Sequence, residues 1–333
     1  MHFLIFGAGT IGCYVGGCLA QSGAAVTLVG RERTMEAIRQ NGLAVSDLDN
    51  FKAHVDAGNM TLATKLEGSM FTPDTVVLLC VKGGATRSAT KEIAAACPAG
   101  TTVISLQNGV ENVARITEEA SSLAAVAAMV PFNVVMPKPG AVHRGTTGSI
   151  HMARTPVTEQ IQPLLQAAGL PLELVSDMHA VQWGKLLLNL NNPVNALSNL
   201  PLRAELMQRD YRRVLAALQT EALAVLKAAG IAPAKVTSVS PKVLPHLLRL
   251  PDWLFTRLAA RMLRMDENAR SSMWDDVQQG RVTEVDDLCG AVLRLGALHG
   301  VATPVNAAMG TLMARHRAGQ AISGSDLRRA TGI

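Results

Sequence analysis

His2-Phe3-Leu4-Ile5-Phe6-Gly7-Ala8-Gly9-Thr10-Ile11-Gly12 is an apolar run that passes directly into the spacing G-x-G-x-x-G, and its reading decides the fold. If the run is a strand and the glycines open a helix, Gly7 makes the tight turn and Gly9 lets backbone approach a pyrophosphate. Gly12 then lets the helix lie close on the sheet. The diphosphate of a dinucleotide sits on the positive helix N-terminus, along the loop Gly7-Ala8-Gly9-Thr10-Ile11-Gly12. Glycine spacings arise by chance in a chain with 28 glycines, so the flanks matter. A helix continues through Tyr14, Val15 and Leu19, Gly23 is placed to end it, and Ala25-Val26-Thr27-Leu28-Val29 reads as a second strand, completing a β-α-β unit. Residues 3 to 29 carry no charge and so also suit a signal peptide or a membrane span. No Lys or Arg precedes them, and Gly7, Gly9, Gly12, Gly16, Gly17 and Gly23 weaken a lone helix in lipid, so that reading is rejected.

The end of the second strand selects the cofactor. NAD sites place Asp or Glu about 20 residues beyond the glycines to hold the ribose 2′-hydroxyl. This chain has Gly30-Arg31-Glu32-Arg33 there. A carboxylate repels a 2′-phosphate, whereas arginine grips it with paired N–H donors, so the stretch predicts NADPH/NADP with Arg31 the better-placed contact.

Composition bounds the rest. A chain of 333 residues exceeds one ordinary core and suits two domains; 48% hydrophobic with 17% charged residues describes a folded soluble protein. Aromatics are only 3% and the net charge of +5 is scattered without a basic run, so no nucleic-acid partner is expected. Cys13, Cys18, Cys80, Cys97 and Cys289 are an odd number with no C-x-x-C pair, which points away from a disulfide framework or a metal site. A reducing cytoplasmic location follows as the default, with no membrane anchor.

After residue 33 helix and strand alternate. Thr75-Val76-Val77-Leu78-Leu79-Cys80-Val81 reads as a buried strand, and Lys82 stands at its carboxyl end, where open α/β sheets bind ligands. A further strand, Thr101-Thr102-Val103-Ile104-Ser105, runs into Leu106-Gln107-Asn108-Gly109, where Asn108 either makes an ordinary turn or reaches the nicotinamide end of the cofactor. Residues 123 to 153 read as more strands closing the sheet, with turns at 137 to 140 and 145 to 148.

Near residue 175 the pattern changes to long helical runs, which sets the expected division: a dinucleotide-binding Rossmann-type α/β domain over 1–175 and an all-α domain over 176–333. Lys185, Asn189 and Asn192 fall at i, i+4 and i+7 on one helical face that is otherwise apolar, and between His179 and Arg203 no other ionisable residue occurs. Burying one lysine and two amides is costly without polar partners, which a bound polar substrate would supply; the alternative reading is a solvated face. Residues 204 to 229 read as one helix closed by Gly230, and 241 to 265 as amphipathic helices suited to covering a site or forming a homodimer contact. Ser272 with Asp275 and Thr283 with Asp286 resemble helix capping boxes, and Thr303-Pro304 starts a last helix.

Taken together, GAGTIG at 7–12, VKGGAT at 81–86, LQNGV at 106–110, WGKLLLN at 183–189 and SSMWDDVQQGRVTEVD at 271–286 resemble the ketopantoate reductase family in order and spacing over nearly the whole chain. The resemblance implies an NADPH-dependent reduction of 2-dehydropantoate (ketopantoate) in pantothenate biosynthesis. It also implies a helical domain like that of 6-phosphogluconate dehydrogenase, with the substrate in the cleft between domains. It places the catalytic lysine on Lys185, an acidic partner on Glu284, and substrate contacts on Asn108, Asn189, Asn192 and Ser272. Cofactor contacts fall on Gly7, Ala8, Gly9, Thr10, Ile11, Gly12, Arg31, Lys82, Asn108 and Glu284. The family usually carries its second helical asparagine eight residues after the lysine, where this chain has Pro193; Asn192 takes the role, with Asn195 the weaker substitute and Asn199 a candidate further contact.

The chemistry implied is hydride addition to the C2 ketone of a 2-oxo acid, with Lys185 giving the proton to the developing alkoxide. Desolvation lowers a lysine pKa while a neighbouring Glu284 raises it. The competing readings are a paralogue reducing another 2-oxo acid, and an NADPH-binding sensor without turnover.

Overall fold

Alternation with period two in the first strand decides what the sheet buries. In the computed structural model, which describes residues 1–260, 263 and 267–333, β1 (His2–Phe6) sends Phe3 and Ile5 into one apolar core and Leu4 and Phe6 into another on the opposite face. A strand buried on both faces needs helices on both, and the chain supplies them. Among the described residues, α1 (Thr10–Gln21), β2 (Ala25–Val29), α2 (Glu32–Asn41), β3 (Leu43–Asp47), β4 (Lys52–Val55), β5 (Thr61–Ala63), β6 (Thr75–Leu79), α3 (Thr86–Ala96), β7 (Thr102–Ser105), α4 (Asn112–Glu119), β8 (Ala124–Met129), β9 (Val134–Lys138), β10 (Ala141–Arg144), β11 (Ile150–Ala153), α5 (Pro156–Ala167) and β12 (Leu172–Val175) follow in order.

The main sheet runs β12-β11-β8-β7-β6-β1-β2-β5. From β5 to β8 every pair is parallel, and the order reverses at β1, because β2 lies on one side of it and β6 on the other. Such a reversal puts the ligand crevice of an open α/β sheet at the carboxyl ends of the strands beside it.

Residues 123 to 153 do not all close this sheet, which corrects the sequence expectation. Only β8 and β11 join it; β9 and β10 pair with β3 and β4 in a separate sheet of order β4-β3-β10-β9. Pro137 lies inside β9, an edge strand, where a missing N–H is tolerated. The small sheet is tied to α1 through buried Arg144. Its guanidinium lies within 6 Å of the Tyr14 and Phe132 rings and bonds Asp47 and Asp49 at 2.8 and 2.9 Å.

The described residues form two compact units, Met1–Met178 and His179–Ile333. The second is helical: α6 (Met178–Asn189), α7 (Asn191–Ser198), α8 (Leu202–Leu206), α9 (Arg209–Ala228), α10 (Leu244–Leu248), α11 (Asp252–Leu258), α12 (Ser272–Gln278), α13 (Ala291–Leu298), α14 (Pro304–Arg315) and α15 (Gly324–Ala330). Apolar Val214, Leu215, Leu218, Ala222, Val225 and Leu226 make α9 its core element.

Two expectations about the extent of helices in this unit are corrected. The helix expected over 204–229 breaks at Met207–Gln208, and fully buried Arg212 gathers the surrounding carbonyls. It donates to Leu206, Leu248 and Leu250 at 2.8–3.1 Å and to Asp252 at 2.7 Å. Among its described residues the 241–265 region forms only the short α10 and α11, with Pro251 between them removing a helix N–H; positions 261, 262, 264 and 265 of that expectation lie outside the described residues. Thr303 is the N-cap of α14 and Pro304 its first residue, as expected, with Glu221 accepting the Val305 and Asn306 N–H groups at 2.8 and 3.0 Å; α14 is not the last helix, since α15 follows. No described helix is long and apolar enough to cross a membrane.

Candidate active site

At the carboxyl edge of the main sheet the β1–α1 loop is built by backbone. Gly7 has φ +110°, and a Cβ there would lie 2.8 Å from the Cys80 and Val81 backbone. A Cβ on Gly12 would run into the Gly7 carbonyl, so the helix reaches the strand only because that position is glycine. A Cβ on Gly9 would meet nothing within 4 Å: the loop faces open space at the position expected to meet a pyrophosphate. Gly9 is the N-cap of α1, no side chain caps it, and its first turn carries no acidic residue. The uncapped N–H groups and the positive dipole end of a twelve-residue helix thus begin at this loop, an arrangement that suits an anion.

Beyond β2, Arg31 is the N-cap of α2 and both Arg31 and Arg33 are exposed. Glu32, which a dinucleotide site could use against a ribose, instead bonds Arg39 at 2.9 Å along the helix. These residues fit a dinucleotide carrying a 2′-phosphate.

Lys82 follows β6 with an exposed side chain, and its carbonyl accepts from Ala85 at 2.8 Å in the turn before α3. Asn108 follows β7 ahead of Gly109, which has φ +97°. A buried relay that the sequence reading missed joins these two loops. Ser105 Oγ donates to Gln107 Oε1 (2.9 Å), Gln107 Nε2 to Thr86 Oγ1 (2.8 Å), Thr86 Oγ1 to Asn112 Oδ1 (2.9 Å), and Asn112 Nδ2 to the Asn108 carbonyl (2.7 Å). Each donor meets an acceptor, which is how four polar groups lie inside the sheet edge at low cost. The signal available beforehand was the Thr86 and Gln107 flanks of the two quoted motifs.

In the helical unit, Lys185 stands on α6 after Gly184, where a Cβ would strike the Ala234 carbonyl. Burial lowers the Lys185 ammonium to about 8. Asn189 sits one turn on, partly buried. The single continuous helix expected through Asn192 is corrected: it breaks at Leu190, because Pro193 has no N–H for the Asn189 carbonyl, and Asn192 falls in the first turn of α7. Gln219 of α9 donates to the Leu187 carbonyl at 3.0 Å beside the break.

Ser271, not Ser272, caps α12: its Oγ accepts from Trp274 N–H at 3.2 Å and donates to the Asn192 carbonyl at 3.3 Å. Ser272, left out of the cap, is exposed on the first turn beside the helix that carries Asn192. Thr283 caps nothing either; the next helix opens at Val285 through a π-turn, Asp286–Gly290, and Glu284 precedes it, partly buried. The two alternative asparagines are engaged elsewhere. Asn195 is fully buried, donating to Glu205 Oε2 (2.7 Å) and the Leu200 carbonyl (3.0 Å) and accepting from Ser271 N–H (2.9 Å). Asn199 accepts from the Trp274 indole at 2.7 Å through its side chain and from Arg270 at 2.8 Å through its carbonyl.

Comparison with known proteins matches the profile of the ketopantoate reductase PanE/ApbA family to residues 3–156 and that of its C-terminal domain to residues 177–317. The chain is 29% identical over 312 residues to a 2-dehydropantoate 2-reductase of Pyrococcus horikoshii, covering 92% of this chain and 94% of that protein. To the Halobacterium salinarum 2-dehydropantoate 2-reductase it is 28% identical, covering 92% and 95%. Among solved structures, a PanE/ApbA family ketopantoate reductase from Ralstonia eutropha superposes with a TM-score of 0.80 at 28% identity, covering 94% of this chain and 97% of that one. A D-mandelate dehydrogenase solved with NADH and anilino(oxo)acetate shares the fold, with a TM-score of 0.75 at 19% identity, covering 94% and 97%.

Proposed function

The chain belongs to the ketopantoate reductase family and is an oxidoreductase, and we propose that it reduces 2-dehydropantoate to pantoate with NADPH, in pantothenate and coenzyme A biosynthesis. The observation that carries the mechanism is Lys185, a lysine brought by burial to about 8 on a helix whose next turn presents Asn189. An ammonium in that range is still charged at neutral pH, and it gives up its proton far more readily than an exposed lysine.

The Gly7–Gly12 loop and the α1 N-terminus hold the diphosphate, Arg31 holds the 2′-phosphate, and Lys82 and Asn108 approach from the ends of β6 and β7. Bound there, NADPH supplies the hydride. Lys185 donates a proton to the oxygen at C2 and, as a cation, stabilises charge developing on it. Asn189 and Asn192 orient the carbonyl and hydroxyl groups of the substrate, Ser272 donates to its carboxylate, and Glu284 holds the Lys185 ammonium and the cofactor ribose. Orientation of this kind supplies a large share of the rate in a two-substrate transfer.

The test is NADPH consumption by the purified protein with ketopantoate, beside pyruvate, 2-oxoisovalerate and a no-substrate control. Fast turnover with ketopantoate alone is the expected result. Turnover favouring another 2-oxo acid overturns the substrate and moves the reading to a paralogue, for which the break at Leu190, shifting Asn192 onto its own helix, is the structural reason. NADPH binding without turnover on any of them leaves a sensor.

A further inference from the structure

We propose that Glu205 is a positioning residue that, through Asn195 and Asn191, sets α7 against the start of α12 and so fixes the spacing of Asn192 and Ser272. The proposal rests on the reading of those two as substrate contacts.

Glu205 lies on α8 with no exposed surface. Its Oε2 accepts from Asn195, and the same Asn195 amide accepts the N–H of Ser271. Ser271 in turn caps α12 and bonds the Asn192 carbonyl. One carboxyl group therefore anchors an amide that reaches both elements carrying the proposed contacts. Asn191, one turn before Asn195, brings a second amide to the carboxyl.

The cluster is short of a donor. Glu205 Oε1 and Asn191 Oδ1 are both buried without a hydrogen-bond partner. Leaving two buried acceptors orphaned is expensive, and a proton on the Glu205 carboxyl supplies the O–H donor that the cluster lacks. Burial drives the same way, raising Glu205 to about 8 against the pull of Asn195 and Asn191. Among the titratable groups on the packed elements, His316 at the end of α14 lies against Ala196 of α7, with its Nε2 buried and its pKa lowered by burial. Tyr211 of α9, whose hydroxyl donates to the Ile322 carbonyl, senses the Glu205 charge. Arg212 holds the α10–α11 carbonyls and Asp252, Arg270 holds the Asn199 carbonyl, and Arg203 pairs with Glu267.

A carboxyl raised by burial is neutral in the fold below pH about 8 and becomes a buried anion as pH rises through that value, so the corner is firm at pH 7 and loosens above pH 8. Glu205→Gln supplies the missing donor without titrating.

The experiment compares wild type and E205Q at pH 7 and pH 9. At pH 7 the ketopantoate KM of E205Q stays within about twofold of wild type. At pH 9, where a group titrating near 8 is about ten parts ionised to one neutral, the wild-type KM rises about tenfold relative to E205Q. Lys185 titrates equally in both proteins, so the ratio isolates Glu205. Hydrogen exchange over residues 270–278 gives a readout independent of turnover: wild type loses protection relative to E205Q at pH 9 and matches it at pH 7. Identical exchange at both pH values overturns the proposal, as does an E205Q impaired in KM at pH 7. A protein showing the exchange difference without reducing any 2-oxo acid keeps the coupling and discards the assignment of substrate contacts.

Discussion

The β1–α1 loop and the α6–α7–α12 corner, the regions we propose for cofactor and substrate, differ in construction: one is made of backbone and the other of side chains. In the loop, Gly7 and Gly12 act by lacking a Cβ, and Gly9 leaves space open. In the corner, Lys185, Asn189, Asn192 and Ser272 are held by groups that lie far off in sequence: the Ala234 carbonyl under Gly184, Gln219 on the Leu187 carbonyl, and Asn195 joining Glu205 to Ser271. Backbone sites are set within a dozen residues, whereas side-chain sites depend on which helices come to lie together.

The largest effect expected is on the side-chain half. Lys185→Ala lowers kcat by about 10²–10⁴-fold while NADPH still binds, read by steady-state kinetics beside cofactor titration. In the wild type, kcat holds up to pH about 8 and falls above it as Lys185 loses its proton. Turnover in the mutant close to wild type would remove Lys185 from the chemistry.

Next comes the cofactor edge. Arg31→Ala costs about 1.5–3 kcal/mol of binding to the 2′-phosphate, seen as a KM for NADPH raised roughly ten- to a hundredfold with the KM for NADH nearly unchanged. Equal losses with both cofactors would show that Arg31 does not read the phosphate.

The backbone half is tested by one methyl. Gly12→Ala forces α1 away from the Gly7 carbonyl and costs about 1–3 kcal/mol, which thermal unfolding detects as a lower Tm together with weaker NADPH binding. Unchanged Tm and affinity would mean that the loop tolerates a side chain and that its shape is not what binds.

The smallest effect belongs to the buried relay between the Lys82 and Asn108 loops. Thr86→Val breaks the Gln107–Thr86–Asn112 bonds and costs about 1–3 kcal/mol, while Thr86→Ser restores most of it. With Asn108 released, the KM values rise more than kcat falls. A valine variant indistinguishable from wild type would confine the relay to folding.

Local patterns carried the first unit a long way. The glycine spacing, the β-branched run at 75–81 and the Arg31 position all work within a few residues, and the βαβ order followed from them. The departure of β9 and β10 to a second sheet was not legible, because it hangs on Arg144 meeting Asp47 and Asp49 nearly a hundred residues away. At the candidate site, Lys185 and its amides stood out as polar residues in an apolar helix. Pro193 lacks the N–H that would carry that helix past Leu190, so Asn192 falls in the next one. Glu205 gave no signal, since a glutamate in a short polar stretch looks solvated until the fold buries it.

By itself, the sequence determined the glycine-rich β-α-β opening, the family, and the candidate site residues proposed above, since these rest on residue type and short spacing. Only the tertiary structure decided that Asn195 and Asn199 are engaged in the framework, that Ser271 takes the cap and leaves Ser272 exposed, and that a buried carboxyl stands behind them. The physical reason is that desolvation and hydrogen-bond satisfaction belong to neighbourhoods in space, and those exist only once the chain has folded.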